Sequence, residues 1–242
     1  MTCASPDLPP SKGMNNLFPL SHGMRWSFHH FCQLLHIKQP ASLCYGILSA
    51  HHCKRVYKFY NDYNDWEHEA LILDVVTLVP GTNTPQPNGH HTYIELFRCK
   101  EHSCRESSFP GISGSAYDTV IVLPQKDEAH LDPESTITYF NMLSWSTELP
   151  KLYDVLEITS ILSLAYPKYN IFTHPCYWLA RTVYFILRYG FTPVHEDVGV
   201  KPRSGFLNLL FCHSNPGRSA RILVLLCKRN KQWKSDYYWV GA

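Results

Sequence analysis

The sequence contains no long hydrophobic run, no paired Cys-x-x-Cys motif and no glycine-rich phosphate loop. Its longest apolar stretches, at residues 206–211 and 222–227, are of strand length, whereas a membrane-spanning helix needs about 20 apolar residues. Without paired cysteines or a phosphate loop, the chain lacks the motifs of a structural zinc site or a nucleotide-binding loop. Charge is also nearly balanced, at +2, so no basic footprint for nucleic acid is present. We therefore expect no transmembrane segment, no nucleic-acid partner and no cofactor.

The cysteines indicate a reducing compartment. There are nine of them, an odd number without regular spacing, which does not fit a disulfide scaffold. The first 20 residues are rich in proline and small polar residues without an apolar stretch, so we expect no secretory signal. We place the protein in the cytoplasm. Metal binding is the less favoured use of two groups rich in cysteine and histidine, namely Cys32, His36, Cys44, His51, His52 and Cys53, and then Cys99, His102 and Cys104.

The length and composition fit one sizeable core. The chain has 242 residues and is 45% hydrophobic, enough to bury a single core with an appended segment. We divide it into an N-terminal segment, residues 1–56, which is partly disordered, and an α+β domain, residues 57–242. The expected architecture is an antiparallel sheet with helices packed on one face.

Local patterns predict the elements of this domain. Apolar spacing predicts helices over residues 25–38, 150–165 and 176–190. Short β-branched and apolar runs predict strands over residues 68–76, 92–98 and 118–123, and later over 206–212, 221–228 and 236–240. Residues 80–89 and 101–114 are rich in turn-forming residues and are expected to be loops.

Cys176 is the first candidate for chemistry. Pro175 suits the first turn of a helix, with Thr173 or His174 at the cap, so Cys176 falls against the unpaired amides at the helix start. The positive end of the helix dipole lowers the pKa of a thiol placed there. A core cysteine that packs as a small hydrophobe is the alternative. The helix then continues through an apolar stripe to a stop at Gly190, by way of Leu179, Ala180, Val183, Ile186 and Leu187.

His68 is the best-placed base for this cysteine. It opens the apolar strand at residues 68–76, where a histidine would be held rigidly, and Ala70 and Ile72 share its strand face. Small residues on that face would leave room for the start of a helix to dock. A surface histidine at a strand end is the alternative.

The order of these two motifs resembles the permuted papain-like superfamily, which includes lecithin:retinol acyltransferase-like proteins and PPPDE peptidase-like proteins. A histidine strand comes first, and a Tyr-Asn-aliphatic-aromatic-Thr-x-x-Cys helix start, Tyr169 to Cys176, follows it and runs on to Arg-Tyr-Gly. The Cys-Tyr-Trp-Leu-Ala string is also similar to a group of fungal proteins of unassigned role. The resemblance covers roughly residues 66–190 and implies a circularly permuted papain-like fold.

The sequence departs from the acyltransferase-like pattern before the cysteine. Pro175 stands where that branch has Asn, so the oxyanion donors would come from the amide of Cys176 and its neighbours. Glu95, on the next predicted strand, falls where the superfamily has a polar residue that orients the base. A glutamate that faces solvent or pairs with Arg98 is the alternative, and His90 and His91 are rivals for the orienting role.

The resemblance implies acyl transfer by a Cys176–His68 pair with Glu95 as the third residue. The expected function is a thiol-dependent hydrolase or acyltransferase that acts on an amide, isopeptide or ester bond of a peptide, protein or acyl-bearing substrate. A non-catalytic interaction module on the same scaffold is the alternative. A small-molecule transferase of another fold is a third and weaker one, and the oligomeric state is left open.

Overall fold

The computed structural model describes residues 25–38, 44–57, 66–79, 81–87, 89, 91–100, 113–123, 136–170 and 176–199. Within these ranges the chain forms eight strands and three helices. The strands are β1 (Arg25–Ser27), β2 (Cys44–Tyr57), β3 (Trp66–Leu78), β4 (Thr92–Lys100), β5 (Ser113–Leu123), β6 (Thr136–Ser144), β7 (Lys168–Asn170) and β8 (His195–Val198). The helices are α1 (Phe28–Lys38), α2 (Leu152–Ala165) and α3 (Cys176–Gly190).

The strands form an antiparallel sheet with β3 at its centre. Seven of them follow the order β1-β5-β4-β3-β2-β6-β8, and β7 pairs with β5 off this path. Every pairing of these strands is antiparallel. The predicted α+β class with an antiparallel sheet is therefore confirmed, and the permuted papain-like arrangement stays a prediction.

All three described helices contribute to one core on one face of the sheet, called here the helix face. Phe31 of α1, Leu156 of α2 and Leu179 of α3 belong to one buried cluster with Leu71 and Leu73 of β3. Because successive strand residues point to opposite faces, odd-numbered residues of β3 from Glu69 to Leu73 face these helices.

A second buried cluster lies on the opposite face of the sheet. Ala70 and Ile72 of β3 pack there with Cys53, Phe97 and Ile121 from the neighbouring strands. The two clusters have no member in common, because alternate residues of the same strands divide between them.

The sequence patterns predicted several of these elements. The helices expected over residues 25–38, 150–165 and 176–190 are present over residues 28–38, 152–165 and 176–190, and residues 25–27 form β1 instead of the predicted helix start. β3, β4 and β5 each extend the predicted strand. The loop expected at residues 80–89 contains a turn at Gly81, whose φ of 77° favours glycine. The strands predicted over residues 206–212, 221–228 and 236–240, and the disorder predicted for residues 1–20, lie outside the described residues.

Five of the eight described strands were not predicted, namely β1, β2, β6, β7 and β8. β2 pairs with β3 along its length and with β6 on its other side, so it occupies an interior position. Its register shifts at a bulge between Ile47 and Ser49, which breaks the regular alternation of apolar residues. The domain boundary expected between residues 56 and 57 falls inside this strand.

Candidate functional site

Cys176 is the first residue of α3 and is buried at the junction of that helix with the sheet. The helix packs against β3 and β4. Trp178 and Leu179 follow it directly into the helix-face core, so burial of these two side chains holds the helix start in place. The predicted placement of Cys176 on the first turn of a helix is thus observed.

Backbone N–H groups lie beside the Cys176 sulfur. Those of Glu69 on β3 and of Cys176 and Tyr177 at the start of α3 act to lower the pKa of its thiol. These amides favour the thiolate, but burial outweighs them and raises the pKa of the Cys176 thiol to about 11, with the Glu69 carboxylate adding to the rise. The resting group is therefore a neutral thiol at physiological pH.

The Glu69 carboxylate is held by side chains from two other elements. His52 of β2 donates to its Oε2 from Nε2 at 2.7 Å. Arg181 of α3 donates from Nε to Oε2 at 3.0 Å and from Nη2 to Oε1 at 2.6 Å. Burial raises the pKa of Glu69, but the hydrogen bonds and charges of His52 and Arg181 together outweigh it and lower that pKa. Glu69 is therefore an ionised carboxylate that ties β2, β3 and α3 together.

The predicted base, His68, precedes Glu69 in β3. It lies opposite Arg55 in the register of β2 and β3. Because side chains alternate along the strand, His68 points to the face of Ala70 and Ile72, whereas α3 packs on the face of Glu69 and Leu71. The structure thus brings Cys176 beside the backbone of this stretch of β3 and directs the His68 ring to the other side of the sheet.

The third predicted residue, Glu95, lies on the same side as His68. It pairs with Ile72 in the register of β3 and β4 and forms an ion pair with Arg55, Oε2 to Nη2, at 2.7 Å. Both charged groups are buried. The three residues predicted from the sequence are therefore not assembled on one face, and the catalytic roles of His68 and Glu95 stay predictions.

The rival for the orienting role that the structure describes, His91, is an exposed side chain. Its Nδ1 lies 2.9 Å from the carboxylate of Asp74, five residues after Glu69 on β3. His90 and Pro175 lie outside the described residues.

A second ion pair lies near the start of α3. Arg98 of β4 donates to Asp118 of β5 from Nε at 2.6 Å and from Nη2 at 2.7 Å. Its Nη2 also donates to the Tyr166 carbonyl at 3.0 Å, and its guanidinium lies 5.2 Å from the centre of the Trp178 ring. Because Arg98 is completely buried and its Nε and Nη2 bind protein groups, we assign this pair to the docking of α3.

Sequence reasoning missed His52, Glu69 and Arg181 as a group. A signal was available at Glu69: it is a charged residue on the strand face that also presents Leu71 and Leu73 to the helices. A charge there requires a partner, because an unpaired buried carboxylate is costly. The identity of that partner depended on β2, which the sequence patterns did not reveal.

The described residues contain no group of three or more histidine, cysteine or acidic side chains arranged to hold a metal ion. His51, His52 and Cys53 are consecutive on β2, so alternation divides them between the two faces. Among the helices that the structure describes, none has both the length and the apolar character needed to cross a membrane.

Comparisons with protein-family models, with curated proteins and with solved structures found no match to this chain.

Proposed function

We propose that this protein is a thiol-dependent hydrolase or acyltransferase in which Cys176 is the nucleophile. One observation carries the proposal. The Cys176 sulfur, at the start of a 15-residue helix, lies beside backbone N–H groups of both that helix and the adjacent central strand. Such amides stabilise negative charge on sulfur and can then stabilise an oxyanion. The resemblance to the permuted papain-like superfamily is part of this proposal.

The reaction would proceed through a thioester. A histidine takes the thiol proton, and the sulfur forms a bond to the carbonyl carbon of an amide, isopeptide or ester. The leaving amine or alcohol departs with that proton as its C–N or C–O bond breaks. Water, or a second nucleophile in a transferase, then cleaves the thioester and restores the thiol. Because burial keeps the Cys176 thiol neutral, proton removal would accompany substrate binding.

Two histidines are candidates for the base. His68 is the residue predicted from the sequence, and the imidazole of His52 is the one that the structure places in the cluster with Glu69 and Arg181. We place the reaction in the cytoplasm, because an odd number of cysteines suits a reducing compartment and Cys32, Cys53 and Cys176 are free thiols.

The test is hydrolysis of a panel of p-nitrophenyl esters and aminocoumarin amides by the wild type and by Cys176→Ser. We expect the wild type to hydrolyse at least one class of probe and the variant to lose that activity. Cys53→Ser is the matched control, because Cys53 is also a buried thiol but lies on the opposite face. Activity that survives in Cys176→Ser would remove the proposal.

A non-catalytic interaction module is the second candidate, and two observations favour it. The Cys176 thiol has a raised pKa, and His68 and Glu95 face away from α3. On this alternative, Cys176 packs as a small hydrophobe at the helix start, and the wild type and Cys176→Ser proteins would both lack hydrolytic activity toward the whole probe panel.

A further inference from the structure

The Glu69 side chain is neither freely exposed, as a surface charge is, nor apolar, as a core residue is. Its side chain is 13% exposed, and it is held by His52, which is 2% exposed, and by Arg181, which is 23% exposed. Its own backbone N–H lies beside the Cys176 sulfur. Glu69 thus lies beside the Cys176 sulfur with its main chain and binds His52 and Arg181 with its side chain.

We propose that Glu69 is a positioning residue for Cys176, held in register by His52 and Arg181, and that the balance of charge between Glu69 and Arg181 sets the reactivity of the sulfur. This inference rests on the proposed function, because positioning has a catalytic meaning only where Cys176 reacts. It assigns roles to three residues outside the predicted set of Cys176, His68 and Glu95.

The positioning part follows from where the three side chains are anchored. Arg181 lies five residues after Cys176 on α3, and its guanidinium binds Glu69 with two hydrogen bonds, a geometry that fixes orientation as well as distance. His52 holds the same carboxylate from β2. The helix start therefore cannot move along β3 without breaking these bonds.

The electrostatic part follows from the charges that face the sulfur. The Glu69 carboxylate opposes formation of a second negative charge on Cys176, and the Arg181 guanidinium offsets that carboxylate. On β2, Lys54 lies opposite Glu69 in the register, and His52 adds an imidazole. On β4, the nearby guanidinium of Arg98 is already bound to Asp118.

The experiment measures the rate of alkylation of Cys176 by iodoacetamide against pH, by peptide mass spectrometry, in the full-length protein. Glu69→Gln keeps the shape and one of the two acceptor oxygens but removes the negative charge. Arg181→Gln removes the positive charge and leaves Glu69 ionised. We expect the first variant to lower the apparent pKa of Cys176 and the second to raise it.

The expected size is modest because nucleophilicity falls as a thiol becomes more acidic. Lowering the pKa by about one gives about ten times more thiolate but only about a threefold faster reaction at neutral pH. Glu69→Gln should therefore react roughly threefold faster than the wild type, and Arg181→Gln correspondingly more slowly.

A matched control pair lies further along the same helix. Arg188 of α3 binds Glu196 of β8 at 2.9 Å, so Glu196→Gln and Arg188→Gln remove the same kinds of charge away from Cys176. Neither should change the pH profile of Cys176. Thermal unfolding of every variant measures any loosening of the fold.

Opposite shifts for Glu69→Gln and Arg181→Gln support the inference. Shifts in the same direction, as loosening of the helix start would give, would overturn it, as would an unchanged pH profile. Should Arg181→Gln fail to fold, Arg181→Lys retains the charge and must keep a profile closer to that of the wild type than Glu69→Gln does. The alkylation assay needs no substrate, so its failure is distinguishable from failure of the proposed function, which the ester and amide panel measures.

Discussion

The two faces of the central sheet hold the same kinds of residue in different settings. The helix face carries Cys176 and the carboxylate of Glu69, which is 13% exposed and linked to a helix. The opposite face carries His68 and the carboxylate of Glu95, which is 1% exposed and bound to Arg55 of the neighbouring strand. Partial exposure leaves Glu69 able to influence a reaction, whereas Glu95 is committed to a closed ion pair.

The difference between the faces depends on which of two adjacent residues of β3 points toward the helices. His68 and Glu69 are adjacent in sequence, and alternation places their side chains on opposite sides of the sheet. A sequence can therefore predict the strand that meets a helix without predicting which of two neighbouring residues faces that helix.

The largest expected effect is loss of one partner of a buried ion pair on the helix face. Arg98→Met leaves the Asp118 carboxylate buried without its cation, which costs about 3–5 kcal/mol in comparable proteins. Denaturant unfolding measures this change. The double variant Arg98→Met with Asp118→Leu removes both charges and should regain most of the stability.

Arg55→Met makes the same change on the opposite face, where it isolates Glu95. A loss of the same size is expected, because both pairs are buried. A loss below about 1 kcal/mol, the value typical of an exposed pair, would show that this face is open to water and would contradict the burial described here.

Enlarging a buried residue is expected to have the next largest effect on the free energy of unfolding, and the two faces can again be compared. A Cβ added at Gly46 would lie 2.6 Å from Leu78 Cδ2 and 3.0 Å from Leu149 Cβ on the helix face. Gly46→Ala should therefore cost about 1–3 kcal/mol of unfolding free energy. Ala70→Leu enlarges a fully buried residue of the opposite face, and a cost there near zero would show that this face is loosely packed.

A smaller effect concerns stability in acid. The pKa of Glu69 is lower in the folded protein than in the unfolded chain, so its ionised form stabilises the fold above the unfolded value. This stabilisation is lost as the pH falls through the folded pKa. Glu69→Gln should consequently lose less stability than the wild type between neutral and acidic pH, and an identical loss in both proteins would contradict the assignment.

The smallest effect distinguishes two buried thiols. Burial raises the pKa of Cys53 further than that of Cys176, and Cys53 lies on the opposite face. Iodoacetamide should therefore label Cys176 faster than Cys53 in the native protein at mildly alkaline pH. Preferential labelling of Cys53, measured by peptide mapping, would reverse the expected ranking.

The parts of the fold that were predicted are those with a strong local pattern. The apolar stripe from Cys176 to Leu187 and the apolar run in β3 each contain enough information to fix an element. β2 was not predicted because it contains the pattern of a polar segment, with His51, His52, Lys54 and Arg55. These side chains are tolerated in an interior strand because carboxylates of β3 and β4 pair with two of them, His52 and Arg55, and such partners are set by tertiary structure.

The candidate site was predictable to a similar extent. Cys176 was found because helix-start signals are local, but its neighbours depend on the register of β2 against β3 and on the face to which α3 docks. The local sequence around His68 or Glu95 predicts neither this register nor this face. The predicted base, His68, and the residue of the observed cluster, Glu69, are therefore adjacent in sequence but lie on opposite faces of the sheet.

The central claim, that Cys176 is the nucleophile, is tested most directly by trapping the acyl-enzyme. The wild type is mixed with p-nitrophenyl acetate at neutral pH, quenched with acid and mapped by peptide mass spectrometry. We expect an acetyl group on Cys176 in excess over every other cysteine, and no acetyl group at this position in Cys176→Ser. Acetylation of another residue, or hydrolysis that proceeds while Cys176 stays unmodified, would contradict it.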